Sequence, residues 1–400
     1  MLRFIHCADL HFDRTFEGLH LLDNEVKNLP RENEKVLSRI VDLAIEQSID
    51  FLLFAGDTFH QNRPSLKTQQ LFFQQIKRLE KKQIAVYLSF GNHDYYDSNR
   101  YWFEFPENVH LFKEEEVQTI KGQTKTKEKY TISAFSYLHP WITSDKAKEF
   151  PKKETDYHIG MYHGEMTSEH YAPFKITELR SKNYDYWALG HIHLPTVLSF
   201  EDAIVYSGTA QGHSQKEKKA AVNLVTIENG QTSWKSVDVA TVHWQTIQLS
   251  LKNIQQQKQV LAKIKDAFTD SEKNLVEISL FDAEQLAQNG LNETDKRELI
   301  DYLNHYLKDQ DMEQRIFKIT NLENQRRQKI RLAHGSQEVA QQLIDIYSQS
   351  DVFTEVTQDL QDYPGVHQAL DFSVLQQEAI DQLNQQLKAD FEWEQIDENT

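Results

Sequence analysis

The sequence predicts an α/β fold, and three observations support this. Short apolar runs alternate with helical patterns over residues 1–109, the apolar runs are continuous, and strand patterns dominate the residues that follow, up to about 240. Continuous apolar runs are typical of strands buried on both faces, and the order βαβαβ is typical of a sheet with helices on its faces. A second sheet packed on the first would account for the strand-rich residues.

The first five elements follow one another closely. Strands are predicted at "LRFIHCAD", "DFLLFAGD" and "IAVYLSFGNHD". Between them, "RENEKVLSRIVDLAIEQS" and "LKTQQLFFQQIKRLEKK" have apolar residues at helical spacing and are predicted to be helices. Further strands are predicted at "YTISAFSYL", "YHIGMYHG", "DYWALGHIH", "TVLSFEDAIVYSG" and "AVNLVTIENGQTSWKSVDV", where "ENGQ" indicates a hairpin turn.

The pattern changes near residue 245, which predicts three parts. Residues 1–244 form the large α/β domain. Residues 245–322 have the order strand, helix, strand, helix, strand and form a small α+β domain. Residues 336–400 are predicted to be acidic, amphipathic helices of the kind that dock on a partner protein.

The net charge of −17 at first argues against a nucleic-acid partner. However, residues 351–400 contain 12 acidic residues against one basic residue, so much of the negative charge belongs to the C-terminal segment. The single cysteine, Cys7, excludes an internal disulfide and favours a reducing cytoplasm. The N-terminus has no signal-peptide pattern, and no apolar run approaches the ~20 residues that span a bilayer, so no membrane partner is expected.

Side chains that bind metals follow five of the predicted strands. They occur in "CADLHFD", "FAGDTFHQNRP", "SFGNHDY", "MYHGE" and "YDYWALGHIHLP". In open α/β sheets, sites form at the edge where strands end in loops, so we expect these side chains to converge. The candidate ligands are Asp9, His11, Asp57, Asn92, His163, His191 and His193.

In this order, the segments resemble the signature of the calcineurin-like metallophosphoesterase superfamily, which runs D-x-H, G-D, G-N-H-[DE], H, G-H-x-H. "GDTFHQNRP" and "ALGHIHLP" resemble motifs of the SbcD-type DNA repair nucleases. "ADLHFDRTFEGL" and the chain length are most similar to the YhaO subgroup of bacterial repair exonucleases. The resemblance covers roughly residues 1–215, and beyond residue 245 it depends on domain order. It implies a four-layer α/β/β/α sandwich of two packed sheets.

The resemblance also implies two divalent cations, for which Mn²⁺ suits the mixture of carboxylate, imidazole and amide ligands. One cation would bind Asp9, His11, Asp57 and His193. The other would bind Asp57, Asn92, His163 and His191, so that Asp57 bridges the two. Two cations and two aspartates leave a net positive charge, which supplies the attraction for phosphate that the surface of an acidic protein lacks.

The same resemblance assigns catalytic roles beside the cations. Water between two cations becomes a nucleophile near neutral pH and attacks phosphorus in line. His93 would be the general acid that protonates the leaving oxygen, with Asp94 tuning its orientation and pKa. His60 has two open interpretations: a contact with the phosphate or transition state, or a surface residue.

The resemblance implies a 3′–5′ exonuclease and single-strand endonuclease in DNA repair. Residues 245–322 would then cap the site and select DNA shape. The expected partner is an SMC-like coiled-coil ATPase of the SbcC type, bound through the C-terminal region, and family precedent favours a homodimer. Basic segments at 76–82 and 324–331 could follow a phosphate backbone or could be solvated helix faces. The aromatic residues after "GNHD" could stack on bases, form a dimer surface or belong to the core; they are Tyr95, Tyr96, Tyr101 and Trp102.

Two alternative functions would use the same metal ligands. One is a small-molecule phosphoesterase, such as a cyclic-nucleotide phosphodiesterase or a nucleotidase, although such an enzyme would not require the α+β domain and helical tail. The other is a non-catalytic scaffold that keeps metals for stability, which the presence of every ligand and of His93 disfavours.

Overall fold

Two six-stranded sheets form the centre of the molecule in the computed structural model. The structure describes residues 1–19, 29–153, 155–268, 273–283, 286, 291–321, 330–332, 352–354, 357–358, 376, 380 and 391–393. In spatial order, the first sheet contains β12 (Gln231–Val237), β11 (Val222–Glu228), β1 (Leu2–Cys7), β2 (Phe51–Ala55), β3 (Ala85–Ser89) and β4 (Val109–Leu111). The second sheet contains β5 (Gln118–Gln123), β6 (Lys129–Ala134), β7 (Tyr157–His163), β8 (Tyr186–Gly190), β10 (Ile204–Tyr206) and β9 (Thr196–Ser199).

The strands that carry the predicted ligands are parallel within each sheet. In the first sheet, β1 to β4 are parallel neighbours, and in the second sheet β6, β7, β8 and β10 are. The carboxyl ends of parallel strands meet at one edge of a sheet, so the loops after β1, β2 and β3 lie together, as do those after β7 and β8.

Two helices cover the outer face of the first sheet: α1 (Pro30–Glu46) and α2 (Leu66–Glu80). Helix α1 begins with proline at its first turn, where no hydrogen bond is lost, and the Ser65 side chain caps α2 by accepting from the Thr68 N–H. The apolar positions of both helices pack on alternate side chains of the strands, such as Leu52 and Phe54 of β2.

The other side chains of β2, including Phe51 and Leu53, face the second sheet and meet its residues Tyr130 and Met161. The far face of the second sheet carries α3 (Ile176–Arg180) and a third core that contains Trp187. Two helices lie on one outer face of the packed sheets and the short helix α3 lies on the other, so the predicted four-layer fold is confirmed.

Strand membership differs from the prediction in one respect. Strands β11 and β12 belong to the first sheet, where β11 pairs antiparallel with β1, although the sequence pattern placed this segment in a second sheet. The predicted hairpin between them is present, with Asn229 and Gly230 at φ +51° and +74°. Strands β4 and β5 were not predicted, because each is short or lies at an edge.

A small α+β region follows in the predicted order of elements. It contains β13 (His243–Ser250), α4 (Gln257–Asp266), β14 (Asn274–Phe281), α5 (Glu293–Asp309) and β15 (Arg315–Asn321), and its sheet has the order β13-β14-β15. Trp244 of β13 packs on Phe16 and Phe317, and Lys273 forms an ion pair with Glu32 at 2.6 Å.

The chain forms two compact units. One contains Met1–Leu249, Gln256–Ser279 and Leu291–Thr320, and the other contains Ser250–Gln255, Leu280–Gly290 and Asn321–Thr400. In the second unit, β16 (Ile330–Leu332) pairs in parallel with β17 (Phe391–Trp393). The domain limits expected at 244 and 322 remain predictions. Most of the helical segment predicted over 336–400, and the basic residues at 324–329, lie outside the described residues. Within the part of the chain that is described, no helix combines the length and apolar character needed to cross a membrane.

Candidate metal centre

All seven predicted ligands meet at one edge of the two sheets. Each lies at or just beyond the carboxyl end of a parallel strand. Asp9 and His11 follow β1, Asp57 follows β2, Asn92 follows β3, His163 ends β7, and His191 and His193 follow β8.

The first group is formed by Asp9, His11 and His193. Their ligand atoms all lie within 4.8 Å of one another, and the Nε2 atoms of the two histidines are 3.1 Å apart. Two ring nitrogens at this distance share one proton or one cation between them. Asp57 Oδ2 lies 3.7 Å from His11 Nε2, at the side of this group.

The second group is centred on the amide oxygen of Asn92. Asn92 Oδ1 is 3.1 Å from His163 Nε2 and 3.1 Å from His191 Nδ1. Asp57 Oδ2 is 3.4 Å from His163 Nε2, so the Asp57 carboxylate lies between the two groups. This is the position that a bridging carboxylate requires.

Asp9 is closer to the second group than the predicted ligand sets imply. Both of its carboxylate oxygens accept from the His191 backbone N–H at 3.0 Å. Asp9 also forms a compact cluster with Asp57 and His163. The two groups are therefore joined at Asp9 as well as at Asp57.

The hydrogen bonds of two histidines suit metal binding. His163 Nδ1 lies 3.0 Å from Ala55 O, and His193 Nδ1 lies 2.7 Å from Glu217 Oε1. A carbonyl or carboxylate oxygen only accepts, so each Nδ1 carries a proton and each Nε2 is the ring nitrogen that faces the ligand group. This arrangement is typical of metal-binding histidine, and the donor set fits two divalent ions.

Backbone conformation directs several of these side chains inward. The φ angles of Asp9, His11, Asp57 and His191 are +48°, +44°, +49° and +99°, a region that costs non-glycine residues roughly 1–3 kcal/mol each. Such strain clusters at functional sites, where the surrounding structure maintains it. Gly190 precedes His191 because a Cβ at this position would lie 2.1 Å from Ala55 O, and this accounts for the glycine in "GHIH".

The two buried carboxylates differ in their protonation. Burial is the main cause that raises the pKa of Asp9, to about 6. Burial also acts on Asp57, but His163 and His11 oppose it and hold the pKa of Asp57 well below its usual range. The Asp57 carboxylate is therefore ionised over a wider pH range than that of Asp9, and it is the better suited of the two to bind a cation.

His93 and His60 lie at the rim of the centre. Their rings stack with centroids 4.9 Å apart, and the ring of His11 lies 5.0 Å from that of His93. The His93 backbone N–H donates to Asp57 Oδ1 at 2.9 Å, while its side chain is exposed. His60 is only partly exposed, its N–H donates to Asp13 Oδ1 at 2.6 Å, and burial lowers its pKa.

Asp94 joins two of the loops that form the centre. Its carboxylate accepts from the backbone N–H groups of Thr58 at 2.8 Å, Phe59 at 3.2 Å and Gly91 at 2.7 Å. These bonds tie the loop after β2 to the loop after β3. Any influence of Asp94 on His93 therefore acts through the backbone of these loops.

Sequence reasoning missed two acidic residues near the ligands. Glu165 Oε1 lies 3.9 Å from His191 Nε2, and Glu217 contacts His193 as described above. Glu165 directly follows His163 and Gly164 in "MYHGE", so its position next to a predicted ligand could have identified it from the sequence. Glu217 lies in "GHSQKEKK", where nothing in the local sequence distinguishes it from a surface residue.

Some of the remaining residues of interest are buried and others are exposed. Tyr96 and Tyr101 pack against the first core, whereas Trp102 is 64% exposed. In the basic segment 76–82, Ile76 and Leu79 are buried. His213 is buried beside Phe16 and bonds Asn33 Oδ1 at 3.1 Å, and Cys7 is buried in the core.

Comparison with known proteins identifies a family and several relatives of this chain. The model of the calcineurin-like phosphoesterase family matches residues 2–195. The chain is 32% identical over 281 residues to the uncharacterized metallophosphoesterase YhaO of Bacillus subtilis (strain 168), an alignment that covers 68% of this chain and 69% of that protein.

More distant relatives include two DNA double-strand break repair proteins named Mre11. The protein from Archaeoglobus fulgidus is 24% identical over 243 residues, covering 55% of this chain and 53% of that protein. The protein from Methanocaldococcus jannaschii is 26% identical over 223 residues, covering 52% and 57%. The chain thus spans about half the length of each Mre11. On this family match, and on the extent of its similarity to YhaO, the chain belongs to the calcineurin-like phosphoesterase family, a family of metal-dependent phosphoester hydrolases.

Proposed function

We propose that this protein is a two-metal phosphodiesterase that cuts DNA, with Mn²⁺ as its metal. The observation that carries the proposal is the position of Asp57, whose Oδ2 lies 3.7 Å from His11 Nε2 on one side and 3.4 Å from His163 Nε2 on the other. A carboxylate between two ligand groups suits a pair of cations. When bound, such a pair activates water and neutralises charge on a phosphodiester.

The chain's own residues supply the remaining chemistry. His93 is exposed at the rim, so its ring can reach the leaving oxygen of a bound phosphodiester and protonate it. The His93 backbone is tied to Asp57 by a 2.9 Å hydrogen bond, which holds the acid next to the ligand groups. His60 stacks on His93, so we assign it a contact with the phosphate or the transition state in preference to a free surface role.

DNA is the proposed substrate for two reasons. Two of the relatives are named as DNA double-strand break repair proteins. In addition, two aromatic side chains lie near the centre, one in the sequence and one in space: the exposed Trp102 follows the "GNHD" loop along the chain, and the ring of the partly buried Tyr171 lies 4.5 Å from that of His191. Aromatic rings beside a phosphate site suit stacking on unpaired bases. We extend the proposal to 3′–5′ exonuclease and single-strand endonuclease activity in DNA repair.

The test uses the purified chain with Mn²⁺ and end-labelled single- and double-stranded DNA. Asp57→Asn keeps the size of the side chain and removes its charge, and it should abolish cleavage. His305→Ala is the matched control, because His305 is an exposed histidine on α5 and should be dispensable. Absence of cleavage by the wild type, or equal cleavage by Asp57→Asn, would reject the proposal.

The same preparation separates DNA from small substrates. Turnover of DNA, bis-p-nitrophenyl phosphate and cyclic AMP would be compared at equal enzyme concentration. Preference for cyclic AMP over DNA would favour a small-molecule phosphoesterase. Retention of metal without turnover of any of the three would favour a scaffold.

The partner and the location belong to the same proposal. We propose that the C-terminal region binds an SMC-like coiled-coil ATPase of the SbcC type, that the chain forms a homodimer, and that it acts in the cytoplasm. Deleting residues 340–400 should abolish co-purification with the ATPase and leave basal nuclease activity. Unchanged co-purification would count against this role, and light scattering of the intact chain tests the dimer.

A further inference from the structure

Glu217 lies in the loop after β10, beside the first ligand group. It is buried, and its Oε1 is 2.7 Å from His193 Nδ1 and 2.9 Å from Arg14 Nη1. Its Oε2 accepts from the His213 backbone N–H at 2.7 Å. A buried carboxylate with three donors around it is held in one orientation. Glu217 is thus a rigid acceptor that faces Nδ1 of a predicted metal ligand.

Arg14 shows why an acceptor is needed at this point. Arg14 Nη1 lies 3.5 Å from His193 Nδ1, and a guanidinium group only donates. Without the Glu217 carboxylate, this donor would face Nδ1 and favour the imidazole tautomer that carries its proton on Nε2. A protonated Nε2 cannot bind a cation, and it would point at His11 Nε2, 3.1 Å away. The carboxylate reverses that preference.

The loop around Glu217 is anchored independently of His193. The Glu217 N–H donates to Ser214 O at 3.0 Å, and Trp244 Nε1 of β13 donates to Gly212 O at 2.9 Å. The Gln215 side chain also donates to Glu277 of β14. The position of the carboxylate is therefore set by the fold, and the imidazole adjusts to it.

We propose that Glu217 is a positioning residue that holds the His193 imidazole with its Nε2 lone pair directed at the first cation. The inference rests on the two-metal function proposed above, because it requires a cation at His193. Hydrogen-bond partners of metal-binding histidines typically change metal affinity 10–100-fold when they are removed, as an order of magnitude. Glu217 itself need not touch the cation or the substrate.

The test is a titration of the metal-free, full-length protein with Mn²⁺ alone, in which binding is measured by calorimetry and by electron paramagnetic resonance. The wild type should bind two ions that give an exchange-coupled signal. In Glu217→Ala, one of the two affinities should fall by about 10–100-fold, so that the signal of an isolated ion replaces the coupled signal. Glu217→Gln keeps an acceptor oxygen for Nδ1 and should lose less.

Lys216→Ala is the matched control, since it removes an exposed side chain of the same loop and leaves the anchors of the loop and the bond between Glu217 and His193 intact. This variant should bind both ions as the wild type does. Unchanged binding by Glu217→Ala, or an equal loss in Lys216→Ala, would overturn the inference. If thermal melting shows that Glu217→Ala does not fold, Glu217→Leu decides, because it keeps most of the side-chain volume and removes the acceptor. Wild-type affinities in that variant would overturn the inference. A wild type that binds two ions and leaves DNA intact would reject the DNA substrate and leave the role of Glu217 standing.

Discussion

Replacing Gly91 with alanine tests whether the centre is as tightly built as the structure indicates. Gly91 lies between β3 and Asn92, and a Cβ at this position would be 2.2 Å from Asp57 Oδ1 and 2.7 Å from His163 Nε2. Atoms in ordinary contact lie roughly 3.5 Å apart, so the methyl group would overlap the Asp57 carboxylate by about 1 Å.

The overlap cannot be relieved by a simple rotation. Asp57 Oδ1 accepts the His93 N–H at 2.9 Å, and rotating the carboxylate would break that bond. Either Asp57 or His163 must therefore move by about 1 Å, and a misplacement of that size costs on the order of 100-fold in rate. We expect Gly91→Ala to lose at least about 100-fold in kcat/KM. Overpacking should also lower the free energy of unfolding by about 1–3 kcal/mol.

A matched control separates overpacking from damage to the centre. In Gly122→Ala the new Cβ would lie 2.3 Å from Tyr130 Cζ, an overlap of similar size on edge strand β5. This variant should lose comparable stability and keep both metal ions and its activity. The assays are Mn²⁺ stoichiometry, hydrolysis of bis-p-nitrophenyl phosphate, and urea unfolding. If Gly91→Ala binds two ions and turns over at the wild-type rate, the argument from the packing of Asp57 and His163 is wrong.

Three other predictions concern acid catalysis and pH. His93→Gln should lower the rate of DNA cleavage by about 10²–10⁴-fold and leave the Mn²⁺ affinity unchanged. Hydrolysis of p-nitrophenyl esters should fall less, because p-nitrophenolate leaves without a proton. An equal loss on both substrates would contradict the role of His93 as a general acid. Glu32 is buried, and although burial opposes it, hydrogen bonds from Lys273 and Lys35 hold its pKa below the usual value of 4.5. That stabilisation is present above pH 4.5 and is lost as the pH falls through the folded-state pKa of Glu32. Glu32→Gln should therefore lower the free energy of unfolding by about 1–3 kcal/mol at pH 7, and the difference between this variant and the wild type should shrink in acid. Burial lowers the pKa of His158 from 6.5 to about 4, so the unfolded chain binds more protons between these values and stability falls as the pH drops from 6.5 towards 4. Between pH 8 and pH 5 this histidine should account for about 2 kcal/mol of lost stability, and His158→Phe should flatten the urea-unfolding profile by that amount.

Much of the centre could be predicted because its signals are local. Asp9, Asp57 and Asn92 each follow a continuous apolar run, and such a run predicts a buried parallel strand without knowledge of its neighbours. The order of the strands then predicts that their carboxyl ends share an edge. The structure brings all seven candidate ligands to that edge, and the hydrogen bonds of His163 and His193 suit metal binding.

Other features depend on contacts between distant segments. The pattern of β11 and β12 predicts two strands and their hairpin, but pairing with β1 depends on which sheet edge is free. Asp94 bonds backbone groups 35 and 36 residues away, so no local pattern reports its role as a link between loops.

By itself, the sequence predicted the α/β class and the metal-binding side chains at the strand ends, since both depend on strand periodicity and side-chain chemistry. The four-layer arrangement, the pair of cations and the role of His93 as an acid were implied by the resemblance to a known family. Only the tertiary structure decided that Asp9 lies near both ligand groups and that Glu217 Oε1 lies 2.7 Å from His193 Nδ1. The physical reason is separation along the chain. Hydrophobic periodicity is set by neighbouring residues, whereas the contact between Glu217 and His193, 24 positions apart, forms only after the packing of the sheets has brought the two segments together.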